Sequence, residues 1–104
     1  MRAIYKYKLT PDELELTLPK GAKIRHVNSQ RDSICLWVES DSSAIPSEVR
    51  HFEVIPTGKD IPEYPGTTLD YLGTVKMSGD SLIFHVYEIV EEVVVDKKWN
   101  GAWD

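Results

Sequence analysis

The sequence predicts a single all-β domain, a compact antiparallel sandwich or partly open barrel of about seven strands with a C-terminal extension. Three observations carry this prediction. β-Branched and aromatic residues recur in short runs that are typical of strands. Segments rich in Pro, Gly, Asn, Asp and Ser separate these runs, and helical periodicity is weak throughout. A length of 104 residues fits one domain and leaves little room for a second core.

The first half of the chain predicts five strands. Clean period-2 alternation of apolar and polar residues marks the first two, and the third and fourth form an antiparallel hairpin around a four-residue loop at residues 29–32. Residues 34–38 are apolar without interruption, which is typical of a central strand covered on both faces. The expected strands cover residues 3–9, 13–18, 22–28, 33–39 and 48–55.

The second half begins with the longest irregular segment, residues 56–68, where prolines remove the donors that strand pairing needs. A second hairpin follows, with strands at 69–76 and 81–88 and with Gly79 in the turn, where a positive φ angle is needed. The last strand carries large side chains on both faces, which predicts an interior position. We therefore expect an all-β domain over residues 1–88. Residues 89–104 are expected to add a strand or to act as an oligomerisation arm.

Composition indicates the cellular compartment and disfavours some classes of binding partner. A net charge of −5 disfavours general nucleic-acid binding, which needs clustered cations. A single cysteine, Cys35, excludes an intramolecular disulfide and points to a reducing compartment. No apolar run is long enough to span a membrane, and the first residues do not resemble a signal peptide. Cytoplasm is the expected location. One group of basic residues is interpreted as a solvated strand face, with an anion site as the alternative: Lys6, Lys8, Lys20, Lys23 and Arg25.

Catalytic chemistry finds little support in the sequence. His26, His51 and His85 lie on three different predicted strands and lack the paired spacing of metal ligands. Cys35 lies within an apolar strand, where a thiol is more often inert than nucleophilic. No phosphate-binding loop, nucleophile elbow or acid–base pair is present. We therefore predict no enzyme activity, no catalytic residue, no metal and no cofactor.

Two patterns suggest ligand contacts. The aromatic residues Trp37, Tyr71 and Tyr87 could line a ligand pocket together with His85, although core packing is the favoured interpretation of Trp37. The Thr57-Gly58-Lys59-Asp60 loop offers backbone N–H groups, a hydroxyl and a cation to an anionic group, with a plain turn as the alternative. The candidate ligand-binding residues are Trp37, Thr57, Gly58, Lys59, His85 and Tyr87.

The C-terminal residues predict self-association. A small core can hardly hide the apolar side chains of the tail, and burial between subunits would remove this exposed surface. A homo-oligomer is therefore expected. The candidate interface residues are Val93, Val95, Trp99 and Trp103.

Five short motifs follow one another along the chain: Pro19–Ile24, Cys35–Val38, Thr57–Pro62, Leu72–Thr74 and Ile83–Glu88. In the order and spacing of these motifs, the chain resembles a family of small uncharacterised proteins encoded by tailed bacteriophages and prophages. The resemblance covers residues 1 to about 88. Family members typically have Gly-Thr-Gly-His-Pro-Ile where this chain has Pro-Thr-Gly-Lys-Asp-Ile at residues 56–61, so a role for a loop histidine does not carry over.

The resemblance implies an accessory protein made in the host cytoplasm during infection, and it brings no activity and no catalytic residues. The leading hypothesis is a non-enzymatic protein that acts by binding, with inhibition of a host defence or other host protein as the effect. One alternative is a sponge that sequesters an anionic, nucleotide-type small molecule. Another is a structural, virion-associated protein. Fold-level analogy alone supports these hypotheses.

Overall fold

The computed structural model describes residues 1–91, and these residues form seven strands and no helix. Every strand pairing among them is antiparallel. The predicted all-β class is therefore confirmed. The strands are β1 (Arg2–Leu9), β2 (Glu15–Pro19), β3 (Lys23–Gln30), β4 (Ser33–Asp41), β5 (Pro46–Pro56), β6 (Thr67–Met77) and β7 (Leu82–Glu91).

The strands form two sheets that approach each other along one pair of edges. The three-stranded sheet has the order β1-β4-β3, and the four-stranded sheet has the order β2-β5-β7-β6. Ser29 Oγ on β3 donates a hydrogen bond to the Lys76 carbonyl oxygen on β6, at 2.7 Å. Gly73 on β6 lies so close to Val27 that a Cβ atom there would be 3.3 Å from the valine Cβ. The architecture is therefore a sandwich partly closed along this seam.

The core lies between the two sheets and is built by period-2 alternation. In β4, Leu36 and Val38 point inward and are fully buried, as are Phe52 of β5 and Val86 of β7. Burying each such side chain contributes about 1.5–3 kcal/mol. Trp37, between the two inward residues of β4, points outward and is half-buried. On the outer face of β4, Cys35 is 3% exposed and Trp37 is half-buried, so the expected cover of both faces is complete at Cys35 and partial at Trp37.

The two hairpins differ in their turns. Gln30 pairs with Ser33, so the loop between β3 and β4 contains only Arg31 and Asp32, whose φ angles are 53° and 57°. Positive φ at both positions is the mark of a type I′ turn, which matches the twist of its strands. The predicted four-residue loop was wrong because pairing continues to the turn. The loop between β6 and β7 has four residues, and Gly79 has the expected positive φ, at 64°.

One ion pair points inward among the apolar residues. Arg50 Nε and Nη2 donate to the two Glu88 carboxylate oxygens at 2.6 and 2.8 Å. Arg50 Nη1 donates to the Ala22 carbonyl oxygen at 2.5 Å. The hydrogen bonds to Glu88 raise the pKa of the guanidinium above its usual value. This bidentate geometry joins β5 to β7 and to the turn before β3.

Candidate functional site

His85 is the centre of a chain of hydrogen bonds on the outer face of the four-stranded sheet. Its Nε2 atom lies 2.8 Å from Thr57 Oγ1, which follows β5. Its Nδ1 atom lies 2.9 Å from Thr74 Oγ1 on β6, and this hydroxyl also bonds to Tyr71 OH. A neutral imidazole donates through one nitrogen and accepts through the other. With both nitrogens engaged, the orientation of the ring is fixed.

Tyrosines surround this chain. The rings of Tyr71 and Tyr87 meet edge to face, with centroids 5.5 Å apart and an interplanar angle of 65°. Tyr64 OH donates to Glu53 Oε2 at 2.9 Å, and this bond to a carboxylate raises the pKa of the tyrosine. Tyr71 is 57% exposed and Tyr64 is 41% exposed. We call the following set the tyrosine face: Glu53, Thr57, Tyr64, Tyr71, Thr74, His85 and Tyr87.

The irregular segment 57–66 folds back over part of this sheet. The bond from Tyr64 to Glu53 ties the segment to β5, and the bond from Thr57 to His85 ties it to β7. Ile55 pairs with His85 in register and shares its outward direction, yet it is only 5% exposed. The segment therefore covers a small apolar area and adds Tyr64 to the face.

The Thr57-Gly58-Lys59 loop forms a hydrogen-bonded turn. The N–H of Lys59 donates to the Pro56 carbonyl oxygen, and the N–H of Thr57 donates to the Ile83 carbonyl oxygen, both at 3.2 Å. Gly58 has a φ angle of 90°, a backbone conformation that suits glycine. Two of the four N–H groups that sequence analysis offered to an anion are thus already bonded. The Thr57 hydroxyl is engaged as well, by His85 Nε2 and by the Ile83 carbonyl oxygen, so the Gly58 N–H and the Lys59 ammonium are the anion-binding groups that this turn retains.

Trp37 lies on the other sheet. Its ring is 5.6 Å from that of His26, on the outer face of the three-stranded sheet. His85 belongs to the outer face of the four-stranded sheet, so the core separates the two residues. A single pocket lined by Trp37 and His85 does not form. Trp37 is also not a core residue, because Leu36 and Val38 occupy the inward positions on either side of it.

The structure adds Glu53, Tyr64 and Thr74, which sequence analysis had not selected. Thr74 lies opposite His85 because β6 and β7 pair from Met77 and Leu82 onward. The predicted hairpin closed at residues 76 and 81, and that register puts residue 72 opposite His85. A correct register would therefore have revealed Thr74. The contact of Tyr64 with Glu53 depends on the path of an irregular segment, for which the sequence gives no signal.

The remaining predicted residues fall outside this face. Val93, Val95, Trp99 and Trp103 lie outside the described residues, so the oligomer interface stays a prediction. His51 on β5 lies 3.4 Å from a Glu15 carboxylate oxygen, and His26 lies on the other sheet. Within residues 1–91, no three His, Cys, Asp or Glu side chains come together as a metal site. The same residues include no helix long and apolar enough to cross a membrane.

These features define a class of small antiparallel β domain with two sheets and a hydrogen-bonded aromatic outer face. A family model described as a domain of unknown function, DUF7352, matches residues 1–95. The chain belongs to this family, and the match includes all seven strands. Comparison with curated proteins and with solved structures gives no significant match. The family description assigns no activity and no source, so the resemblance to phage proteins stays a prediction.

Proposed function

We propose that the chain is a non-enzymatic, phage-encoded binding protein that acts in the host cytoplasm by docking the tyrosine face on a host protein. The observation that carries this proposal is the exposure of Tyr71, on β6, and of Tyr64, on the segment that folds back over the same sheet. Tyrosine is enriched at protein interfaces, where it supplies a large contact area and a hydroxyl that can bond across the boundary. Exposed apolar side chains extend the same region at Ile61 and Ile83.

Preorganisation supports binding at this face. The Tyr71 hydroxyl is held by Thr74, its ring meets that of Tyr87, and the Tyr64 hydroxyl is held by Glu53. Immobilising a side chain on association costs about 0.5–1.5 kcal/mol, and residues already held in place avoid much of that cost. The tyrosine face can therefore present two aromatic anchors with little loss of conformational entropy.

The contacts of His85 favour binding over catalysis. A histidine that activates a nucleophile is commonly oriented by a third group, often a carboxylate on its second nitrogen. Here both ring nitrogens contact threonine hydroxyls, and the nearby Glu53 carboxylate is occupied by Tyr64. We therefore assign His85 the role of holding Thr57 and Thr74 in place across β7.

The test compares substitutions on the two outer faces. Tyr71→Ser and Tyr64→Ser remove the anchors, and Ile4→Ser, at a residue 58% exposed on the three-stranded sheet, is the matched control. Tagged full-length variants are incubated with lysate of the host bacterium, and any protein that the unsubstituted chain retains is purified and titrated by calorimetry. Circular dichroism melting verifies that each variant is folded.

We expect each tyrosine substitution to weaken the purified complex by about tenfold or more, which corresponds to about 1.4 kcal/mol for an anchor residue. Ile4→Ser should leave the affinity unchanged. Equal affinity in all variants, or a loss confined to Ile4→Ser, would reject the tyrosine face as the docking surface.

The second candidate function is the nucleotide sponge, favoured by the proximity of the Thr57 hydroxyl to the imidazole of His85. Lys59, in the same turn, would attract phosphate, and an exposed tyrosine ring could stack on a base. Thermal-shift assays with cyclic di- and trinucleotides test this function. Saturation at about 100 times the dissociation constant adds about 2.7 kcal/mol to stability. Lys59→Ala should reduce the shift without lowering the ligand-free melting temperature. An unmoved transition at millimolar nucleotide would exclude the sponge.

A further inference from the structure

The outer face of the three-stranded sheet groups basic residues around one aromatic side chain. Strand register puts Lys6, Trp37 and His26 side by side, one from each strand. Residues directly opposite in an antiparallel pair share a face, so all three point away from the core. We call the following set the basic face: Arg2, Lys6, Lys8, Lys23, Arg25, His26, Trp37, Glu39 and Asp41.

The basic face carries a net positive charge, which is opposite in sign to the net charge of the whole chain. Five Lys and Arg residues share it with two carboxylates, Glu39 and Asp41, on a chain of net charge −5. Arg2 and Arg25 each hold a Glu39 oxygen through Nε at 2.7 Å, and Asp41 lies 3.7 Å from the amino terminus. Both carboxylates are thus engaged.

The lysines of the face are free of such partners. Within residues 1–91, no carboxylate lies within 4.0 Å of the ammonium groups of Lys6, Lys8 or Lys23. Lys6 is held by the side-chain oxygen of Gln30 at 2.5 Å, a neutral acceptor. Three cations therefore remain to attract an anionic partner.

Trp37 gives the face a second kind of chemistry. The indole is half-buried, and the exposed His26 ring lies 5.6 Å from it at an angle of 51°. Lys6 flanks the indole on the β1 side, and Arg25 follows on the β3 side. Proteins that bind single-stranded nucleic acid combine these features, with aromatic side chains that stack on bases and cations that follow the backbone. A peptide rich in acidic residues would use the cations and leave the aromatic pair without a role.

We propose that the basic face binds single-stranded nucleic acid, with a base against Trp37 and His26 and with phosphates on Lys6, Lys8 and Lys23. This activity is separate from docking through the tyrosine face. The net negative charge of the chain does not prevent it. Packed sheets lie about 10 Å apart, and charges beyond about 8 Å are largely screened at physiological ionic strength. In a duplex the bases are already stacked and paired, so a single strand is the preferred form.

The test measures the anisotropy of a fluorescein-labelled oligothymidylate of roughly ten nucleotides titrated with the full-length chain. Three phosphate contacts predict that log K falls with log salt at a slope of about −2. Affinity should therefore drop about twentyfold between about 50 and 200 mM NaCl. The same titration is repeated with the oligonucleotide annealed into a duplex, and with a polyglutamate peptide as competitor.

Variants assign the contacts. The double substitution Lys6→Gln and Lys8→Gln should reduce the slope to about −0.7. Trp37→Leu should weaken binding by about fivefold to a hundredfold without changing the slope, and Trp37→Phe should restore part of the loss. Lys76→Gln removes an exposed cation from β6 of the other sheet and should change neither quantity. Melting curves identify any variant whose fold is altered.

Several results would overturn the proposal. Absence of binding at low salt, or equal affinity for duplex and single strand, would remove its basis. If polyglutamate displaces the oligonucleotide and Trp37→Leu has no effect, the face is a docking site for an acidic protein instead. A loss as large in Lys76→Gln as in the double lysine variant would show that binding is not located on this face.

Discussion

Replacing Arg50 by methionine should destabilise the domain by about 2–4 kcal/mol. The guanidinium makes two hydrogen bonds to Glu88 and one to the Ala22 carbonyl oxygen, and the two charged side chains are only 16% and 12% exposed. Removing one member of a fully buried ion pair costs about 3–5 kcal/mol, because the other charge is left without compensation. The residual exposure lets water reach Glu88 and lowers this value. A domain of this size has about 5–15 kcal/mol to lose.

The double variant Arg50→Met/Glu88→Leu separates the charge effect from the packing effect. With both charges removed, no uncompensated carboxylate remains, and apolar side chains can fill the same space. The double variant should therefore be more stable than Arg50→Met alone and should recover at least half of the loss. Only the Ala22 carbonyl oxygen loses its donor in both variants.

Urea denaturation at pH 7, followed by far-ultraviolet circular dichroism, measures these differences. A slope of about 1–3 kcal/mol per molar urea is typical for small domains, so Arg50→Met should lower the midpoint by about 1–3 M. The slopes of the variants should agree, since the fold is retained. A loss below about 1 kcal/mol in Arg50→Met would refute the reasoning. A double variant less stable than either single variant would refute it as well.

Three further outcomes follow from particular residues and use the same denaturation assay. Phe52→Ala should cost about 3–5 kcal/mol because Phe52 is a fully buried core residue, whereas Trp37→Ala on the outer face should cost less than half as much; equal losses would contradict the assignment. Hydrogen bonds from two arginines lower the pKa of Glu39 below 4.5, and the bond from Arg2 has the larger effect. The contribution of this carboxylate to the free energy of unfolding is therefore full above pH 4.5 and is lost as the pH falls through the lowered pKa. Glu39→Gln should therefore flatten the loss of stability on acidification, and an unchanged pH profile would count against the ion pairs. Gly73→Ala brings a methyl group within 3.3 Å of Val27 and should cost about 1–3 kcal/mol. Adding Val27→Ala should then cost less than it does in the unsubstituted chain, and simple additivity would argue against a tight seam.

Local patterns predicted most of the fold. Alternation over residues 3–9 and 13–18 located β1 and β2, and the two-sided apolar character of β4 and β7 predicted interior positions that the strand orders confirm. Gly79 marked a turn that needs positive φ. Each of these signals resides in a few neighbouring residues, where side-chain direction and backbone conformation are set by short-range sterics.

The residues that meet in the candidate site could not be predicted from local sequence patterns. Trp37 and His85 both occupy outward positions on interior strands, and the sequence makes them equally good pocket walls. Nothing near either residue indicates that β4 and β7 belong to different sheets, because strand order is decided by contacts distant in sequence. The sequence hypothesis joined two aromatic groups that the core keeps apart.

Turn length decided which residues meet on the basic face. The predicted four-residue loop pairs residue 28 with residue 33, and that register puts Ile24 opposite Trp37. The type I′ turn at Arg31 and Asp32 shifts the pairing by two residues and brings His26 there instead. A shift of two residues preserves which side chains face the core, so the hydrophobic pattern could not detect the error. The sequence therefore predicts which face of the sheet a surface side chain points to more reliably than it predicts which residues lie beside that side chain.

Because the tyrosine face and the basic face belong to different sheets, their functions can be separated by mutation. Substitutions that lie far apart and share no partner have nearly additive effects, and none of the hydrogen bonds of Tyr71 or Tyr64 involves a residue of the basic face. Tyr71→Ser should therefore weaken protein docking by about tenfold or more and leave oligonucleotide binding unchanged, while the double lysine variant should weaken oligonucleotide binding and leave docking unchanged. If either variant lost both activities, the partner would have to contact both sheets or the fold would have to change. The circular dichroism spectrum of the free variant distinguishes these two explanations, since only a change of fold alters it.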